Sequence, residues 1–208
     1  MLDLKESISK ILDEVKDGWC WPEKANAMAN LITEIRPNPN VIVEIGVFGG
    51  RSLLPQAEAV RRNGVGCIVG IDPWRLVPSI EGDIDQEQKD WWSKVDLQTV
   101  HQEFMEHLWQ LGLDSHCVII RNTGDQCAHL FNGESIDILH IDGNHTEEVS
   151  CRDVRTWLPK VRRLGYIWFD DTNWASTQKA LAIMEEHCVP IRDVTKETVG
   201  SCRLYQKR

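Results

Sequence analysis

The 208 residues are 42% hydrophobic and 26% charged, the composition of an ordinary single-domain globular protein. The formal net charge of −9 argues against a broad surface for nucleic-acid phosphates. No apolar run approaches the roughly 20 residues of a membrane-spanning helix, and charged residues 1–16 lack the apolar core of a signal peptide. Seven scattered cysteines show no metal-binding spacing, so we expect a cytoplasmic protein with reduced thiols and without nucleic-acid or membrane partners.

The chain opens with two predicted amphipathic helices. Apolar residues recur at helical spacing over 4–15 and again over 22–35. Gly18 and Pro37 end these helices. We expect segment 1–38 to cap a ligand cleft or to contact a partner subunit in a homo-oligomer, and simple packing against a sheet explains the pattern equally well.

Segment 41–52 carries the main ligand-binding signal. A β-branched run predicts a buried parallel strand, which breaks into glycines and restarts as a helix near Ser52. Glu44, Gly46 and Gly50 form the pattern acidic-x-Gly-x-x-x-Gly, whereas a dinucleotide fingerprint is Gly-x-Gly-x-x-Gly. Small residues let a ligand approach the backbone, and a carboxylate at the strand tip suits a cationic or hydroxyl-rich ligand.

The second predicted strand, 67–72, ends in Asp72. This acid follows Glu44 by 28 residues, near the position at which nucleotide-binding βαβ units place a ribose-binding carboxylate. A carboxylate at a strand tip accepts hydrogen bonds from two hydroxyl groups. The alternative is a solvated loop aspartate before Pro73.

Residues 73–96 follow no regular pattern, and tryptophans lie at both ends of the segment. A loop this long inside a compact domain is usually a lid or a binding segment. The alternative is a surface loop whose tryptophans pack onto the core.

The rest of the chain predicts further strands and helices in alternation. The predicted elements are a helix over 97–111, strands over 117–120, 136–142 and 166–171, helices over 146–158 and 176–187, and a hairpin from 189–194 and 201–206. The sequence therefore predicts one α/β domain over 1–208 with a largely parallel sheet and an antiparallel C-terminal hairpin.

Several predicted strand tips carry side chains suited to ligand binding. Asp125 follows the third strand, where an acceptor meets the adenine of a bound nucleotide in α/β folds, and it serves equally well as a helix N-cap. Asp142 ends the fourth strand, and Asp170 and Asp171 end the fifth. Because tips of neighbouring strands lie about 5 Å apart, the three acids predict a Mg²⁺ site. The alternative is one N-cap and one salt bridge.

His145 lies three residues beyond Asp142 and is the predicted general base. An imidazole with a pKa near 6.5 accepts protons at neutral pH. A lone histidine is more often structural, but this one stands beside the predicted metal site.

Four segments occur together in a characteristic order: 43–52, 70–72, 140–145 and 169–171. In this order and spacing the chain resembles class I S-adenosylmethionine-dependent methyltransferases. The segment Ile-Asp-Gly-Asn-His with a later Asp-Asp is similar to the macrocin and mycinamicin sugar O-methyltransferases and the related cephalosporin-hydroxylase-like proteins. The resemblance covers about residues 40–175.

The resemblance implies a Rossmann-like fold with a seven-stranded sheet, and it implies a role for each matching position. S-adenosylmethionine would be bound by Glu44, Gly46, Val47, Phe48, Gly50, Ser52, Asp72, Asp125, Gln126 and Asp142. Mg²⁺ or another divalent cation would be held by Asp142, Asp170 and Asp171, and His145 would be the catalytic base.

The implied activity is O-methylation of a small molecule, such as a sugar or a natural-product-like acceptor. Catechol O-methyltransferases carry Asp-Asn in place of Asp170-Asp171 and lysine in place of His145, which favours a sugar or aliphatic hydroxyl over a catechol. The alternatives are a hydroxylase-like relative and a non-catalytic cofactor-binding protein. One histidine among three acids disfavours the two-histidine iron site of oxygenases.

Overall fold

Seven strands form one mixed sheet in the computed structural model, which describes residues 2–208. The strands are β1 Val41–Ile45, β2 Cys67–Ile71, β3 Cys117–Ile120, β4 Ile136–Ile141, β5 Val161–Asp170, β6 Cys188–Lys196 and β7 Gly200–Lys207. Their order is β3-β2-β1-β4-β5-β7-β6. The first five strands are parallel, and β7 runs antiparallel to both β5 and β6. The predicted fold class is confirmed, although β5 begins five residues before its predicted start.

Nine helices connect or flank the strands in the described part of the chain. They are α1 Leu4–Glu14, α2 Pro22–Glu34, α3 Leu53–Asn63, α4 Leu76–Ser79, α5 Gln86–Trp92, α6 Leu97–Gln110, α7 Gly124–Cys127, α8 Glu147–Trp157 and α9 Gln178–His187. The irregular structure predicted for 73–96 is wrong over α4 and α5. Asp85 begins α5 as an N-cap, because its carboxylate accepts a 2.8 Å hydrogen bond from the Gln88 amide.

Helices cover both faces of the sheet. Successive strand residues point to opposite faces, so Ile42 packs towards α1, α2, α3 and α6, while Val43 packs towards α8 and α9. Each face buries a large side chain of its own: Trp168 lies in the first layer and Trp157 in the second. Burial on both faces explains why the central strands are continuous apolar runs. Within residues 2–208, no helix combines the length and apolar character needed to cross a membrane.

The chain reverses direction across the sheet between β1 and β4. It passes from β1 outward through β2 to β3, and then returns to pair β4 with the other side of β1. Connections that diverge in this way leave a crevice at the carboxyl ends of the two central strands. The predicted ligand-binding loops all leave the sheet at these ends.

Gly46 closes the contact between the ends of β1 and β4. Its φ is +86°, and a Cβ atom there would lie 1.9 Å from the backbone oxygen of Asp142. We expect Gly46→Ala to lower the free energy of unfolding by about 3–5 kcal/mol, because it adds backbone strain to a steric clash. Urea unfolding measures this loss. Gly112→Ala is the control, since Gly112 also has a positive φ but open space at its Cβ, and equal losses would contradict the clash.

Candidate active site

A cavity of about 850 Å³ opens at the carboxyl ends of the strands, within the size range of small-molecule sites. Loops that follow β1 to β5 line it, together with residues of 1–38 and 73–96. Most of the predicted site residues lie on its wall. They are Gly46, Val47, Phe48, Ser52, Asp72, Asp125, Asp142, His145, Asp170 and Asp171.

Asp72 ties the loop after β1 to the end of β2. Its Oδ2 accepts hydrogen bonds from the amides of Val47 and Phe48 at 2.9 and 3.0 Å, and its Oδ1 accepts one from Trp74 at 2.7 Å. Burial raises the pKa of Asp72, and the three amides oppose that rise. Asp72 is therefore not a solvated loop residue. A carboxylate offers about four acceptor positions, so Asp72 retains one for a ligand hydroxyl.

Glu44 lies behind the cavity, and this corrects the expectation that it faces a ligand. Its side chain is fully buried. Ser52 Oγ and Gln56 Nε2 donate to its two oxygens at 2.7 Å each, and His140 Nδ1 lies 3.0 Å from Oε2. A buried carboxylate requires such partners, so Glu44 anchors α3 to the sheet.

The predicted ligand contact of Gly50 is corrected in the same way. Gly50 has a φ of +79°, and a Cβ atom there would lie 2.4 Å from the Phe104 ring. It gives space to α6 rather than to a ligand. Asp125 and Gln126 are both exposed, and Asp125 lines the cavity from the first turn of α7. The predicted contact of Gln126 with adenine stays a prediction. Thr123 is the N-cap residue of α7, so the N-cap alternative for Asp125 is wrong.

Lys24 of α2 reaches the two central carboxylates of the predicted metal site. Its side chain is 3% exposed, its Nζ lies 3.1 Å from Asp142 Oδ2, and it forms a closer ion pair with Asp170 Oδ2. Burial alone would lower the pKa of Lys24, but Asp142 and Asp170 raise it well above its usual value. Burial would raise the pKa of Asp142, and Lys24 holds it well below its usual range. The two groups thus form a partly buried ion pair, in which Lys24 is 3% and Asp142 26% exposed.

His140 joins this network from inside β4. Its Nε2 lies 2.8 Å from Asp170 Oδ2, and its Nδ1 faces Glu44. Burial would lower the pKa of His140, but the two carboxylates raise it to about 9. The prediction of a buried histidine is confirmed, and Asp170 satisfies its Nε2. Nδ1 lies 3.0 Å from Glu44 Oε2 without hydrogen-bond geometry, so full satisfaction of the ring is not confirmed.

His145 lies on the open side of the same cluster. Its Nε2 is 3.5 Å from Asp142 Oδ1 and 3.3 Å from Asp171 Oδ2. Its ring meets Trp174 edge-on at 5.5 Å between centroids. Burial would lower the pKa of His145, and the neighbouring carboxylates raise it instead. Burial together with Asp142 and Asp170 raises the pKa of Asp171 to about 6, against the opposing effect of His145.

The predicted magnesium ligands do not fit a divalent ion in this arrangement. One carboxylate oxygen of Asp142 and one of Asp170 contact the Lys24 ammonium, which stands where an ion bound to these two oxygens would stand. Among residues 2–208, the set of three ligand atoms close enough to share an ion belongs to His140, Asp170 and Cys202. All three are buried, and burial raises the pKa of the Cys202 thiol well above its usual value. This set is unlike the oxygen shell that Mg²⁺ prefers.

A family profile described as a methyltransferase domain matches residues 43–172, which include every strand tip of the site. The chain belongs to this methyltransferase family. No curated protein matches the chain. The resemblance of the methyltransferase to the macrocin and mycinamicin subgroup stays a prediction.

Three solved structures of similar fold are described as O-methyltransferases, one of them as putative. A putative O-methyltransferase of Klebsiella pneumoniae is 13% identical, with 100% of this chain and 91% of that chain covered and a TM-score of 0.66. The O-methyltransferase TomG of Streptomyces achromogenes is 13% identical over 100% and 90%, with a TM-score of 0.65. An O-methyltransferase of Bacillus cereus is 13% identical over 100% and 92%, with a TM-score of 0.62. At such identities the similarity concerns the fold.

Sequence reasoning missed Lys24, although a signal for it exists. Lys24 precedes Met28 by four residues and Ile32 by eight, so helical periodicity places it on the buried face of α2. A lysine on such a face is almost always paired with an acid. The methyltransferase thus carries an internal cation whose presence, though not its partners, was predictable.

Sequence reasoning also missed Asp153 of α8, which is 5% exposed and lines the cavity. Burial raises its pKa from 3.8 to about 7. Its folded pKa is the higher one, so the folded state keeps the proton longer than the unfolded state, and this residue lowers stability as pH rises from about 4 to 7.

We therefore expect Asp153→Asn to raise the unfolding free energy, relative to the wild type, by about 2–3 kcal/mol more at pH 8 than at pH 5. Urea unfolding of both proteins at the two pH values measures this. The same stability difference at both pH values would contradict the raised pKa.

Proposed function

We propose that this methyltransferase transfers a methyl group from S-adenosylmethionine to a hydroxyl group of a small molecule. One observation carries the proposal: a single cavity joins the Asp72-bound loop after β1 to His145. Two structures of similar fold support the cofactor, because the Streptomyces enzyme is a complex with S-adenosylmethionine and the Bacillus enzyme a complex with S-adenosylhomocysteine.

The cofactor lies, in this proposal, along the loop after β1. Asp72 binds the ribose hydroxyls through its remaining acceptor position, and Asp125 receives the adenine amino group. The backbone of Gly46, Val47 and Phe48 approaches the methionine part. The raised pKa of Asp153 and its position on the cavity wall support a further contact between Asp153 and the cofactor near its adenine.

The chemistry needs alignment more than strong polarisation. Bound S-adenosylmethionine supplies an electrophilic methyl group on its sulfonium. The cavity holds donor and acceptor in line and excludes water. His145 takes the proton of the acceptor hydroxyl on its imidazole ring, and Asp142 and Asp171 beside Nε2 stabilise the imidazolium that forms.

Tryptophans around the rim favour an acceptor with a ring. Trp174 is 37% exposed beside His145, and Trp19 and Trp91 are 54% and 44% exposed on the cavity wall. The ring centroids of Trp19 and Trp91 lie 5.5 Å apart, and the Trp19 ring also packs on Phe48 with 5.3 Å between centroids. Exposed aromatic faces of this kind bind sugars and flat rings. A sugar or a natural-product-like alcohol is the proposed acceptor.

Segment 73–96 is proposed as a lid over this acceptor. Asn144 Nδ2 donates to the carbonyl oxygens of Pro78 and Glu81 at 3.1 and 3.0 Å, and Arg152 pairs with the Glu81 carboxylate at 2.7 Å. These contacts join the lid to the loop that carries His145. The packing alternative holds at one end, where Trp74 is 2% exposed against the core.

Segment 1–38 is proposed as a cap over the same cleft. Arg51 holds it by donating to the carbonyl oxygens of Cys20 and Leu12 at 2.8 Å each. Mg²⁺ dependence is left out of the proposal because Lys24 occupies one carboxylate oxygen of Asp142 and one of Asp170. All seven cysteines are free thiols, which supports a cytoplasmic location.

Calorimetric titration with S-adenosylhomocysteine tests the cofactor, and transfer of a labelled methyl group to a panel of sugars, phenols and amines tests the acceptor. We expect micromolar binding and label in a hydroxyl-bearing product. Absence of binding would refute the cofactor assignment. Label that accumulates only in amines would refute O-methylation.

A further inference from the structure

We propose that Lys24 is the resident cation of this active site: its ammonium takes the place of a divalent metal ion between Asp142 and Asp170, so methyl transfer proceeds without metal. The inference deepens the proposed function and rests on it for the activity measurement. Its binding measurement needs only the folded protein.

The geometry leaves a divalent ion no room on the shared oxygens. Mg²⁺ requires ligand oxygens at about 2.0–2.1 Å. The Lys24 Nζ already lies 3.1 Å from Asp142 Oδ2 and closer to Asp170 Oδ2, so an ion on the same two atoms would coincide with the ammonium. His140 Nε2 contacts Asp170 Oδ2 as well, at 2.8 Å.

Lys24 offsets part of the negative charge of the cluster. Asp142, Asp170 and Glu44 bring negative charge into a region where Asp170 and Glu44 are 4% and 0% exposed. Buried carboxylates of this kind need a paired cation. Lys24 supplies this cation from within the chain. A divalent ion would have to compete with the Lys24 ammonium, which is also positively charged and is covalently part of the protein.

The surroundings hold Lys24 in place. Its side chain is 3% exposed, and the Trp21 ring lies 5.8 Å from Nζ. The turn before α2 is fixed by the hydrogen bond from Arg51 to the Cys20 carbonyl. Lys24 is therefore a positioning residue, which acts on the acceptor site through Asp142 and through His145 next to it.

Manganese binding followed by electron paramagnetic resonance tests the inference directly. After treatment with a chelator, the wild-type protein is expected to bind no stoichiometric Mn²⁺, and its methyl transfer is expected to persist in EDTA. Lys24→Ala removes the ammonium and opens space, so it should bind one Mn²⁺ at least about tenfold more tightly than the wild type.

Two further variants make the result specific. Lys24→Met removes the charge but fills the space, so we expect weaker Mn²⁺ binding than in Lys24→Ala. Lys207→Ala is the control, because the Lys207 ammonium donates to the carbonyls of Leu158 and Val161, away from the cavity. We also expect Lys24→Ala to lose turnover, and added Mn²⁺ should restore part of it.

The opposite results would overturn the inference. One Mn²⁺ bound per wild-type chain and released by Asp142→Ala would show that the ion displaces Lys24. A folded Lys24→Ala protein without any gain in Mn²⁺ binding would show that Lys24 does not occupy a metal position. If Lys24→Ala fails to fold, the wild-type titration alone decides. Lack of S-adenosylhomocysteine binding would instead count against the proposed function and leave the Mn²⁺ result intact.

Discussion

Replacing Asp72 with alanine is expected to weaken S-adenosylhomocysteine binding by about 100-fold, or about 3 kcal/mol. The variant loses the proposed ribose acceptor. It also leaves the amides of Val47, Phe48 and Trp74 without their partner, and each unpaired buried donor costs about 1–3 kcal/mol. Part of the binding free energy of the ligand is then used to order the loop after β1, which lowers the affinity. Isothermal titration calorimetry measures the loss.

Asp137→Ala is the matched control for this experiment. Asp137, like Asp72, accepts hydrogen bonds from backbone amides. Its donors are the amides of Asn40 at 2.8 Å and Val41 at 2.9 Å. Those amides lie at the start of β1, at the opposite end of the strand from the cavity. The control should lose stability and keep its ligand affinity. Similar losses of affinity in both variants would mean that Asp72 acts only through general stability.

Replacing His145 with alanine is expected to lower turnover by about 10²–10⁴-fold and to leave S-adenosylhomocysteine affinity within about twofold. The imidazole is the proposed proton acceptor, whereas the proposed cofactor contacts lie on the loops after β1, β2 and β3. Single-turnover transfer of a labelled methyl group measures the first effect, and calorimetry measures the second.

Two comparisons separate catalysis from structure at this position. His145→Gln keeps a polar side chain but takes no proton, so its turnover should be as low as that of the alanine variant. His187→Ala removes an exposed histidine at the end of α9 and should leave turnover unchanged. Full activity in His145→Ala would eliminate the role as base.

The predicted strands and their ligand-bearing tips are explained by local chemistry. Runs of β-branched residues and the glycines after β1 decide where strands and turns occur, independently of distant partners. Parallel strands present their carboxyl ends at one edge, so Asp72, Asp142 and His145 were predictable members of one site. Helix α5 was missed because it is only seven residues long and a single N-cap, Asp85, marks its start.

The errors concern side-chain direction rather than chain position. Glu44 was expected to face a ligand, and it faces Ser52, Gln56 and His140 instead. Gly50 was assigned to ligand approach, and it accommodates Phe104 of α6. In each case the deciding neighbour lies on another element, where spacing within one segment carries no information.

The sequence by itself determined the α/β architecture, the edge of the sheet at which ligands bind and the acids that gather there. Only the tertiary structure decided what neutralises those acids. Lys24 is 118 residues from Asp142 and 146 from Asp170 along the chain, and the packing of α2 against one face of the sheet brings them together. The hydrophobic pattern decides which face of a helix is buried, but the partner of a buried charge depends on which surfaces meet.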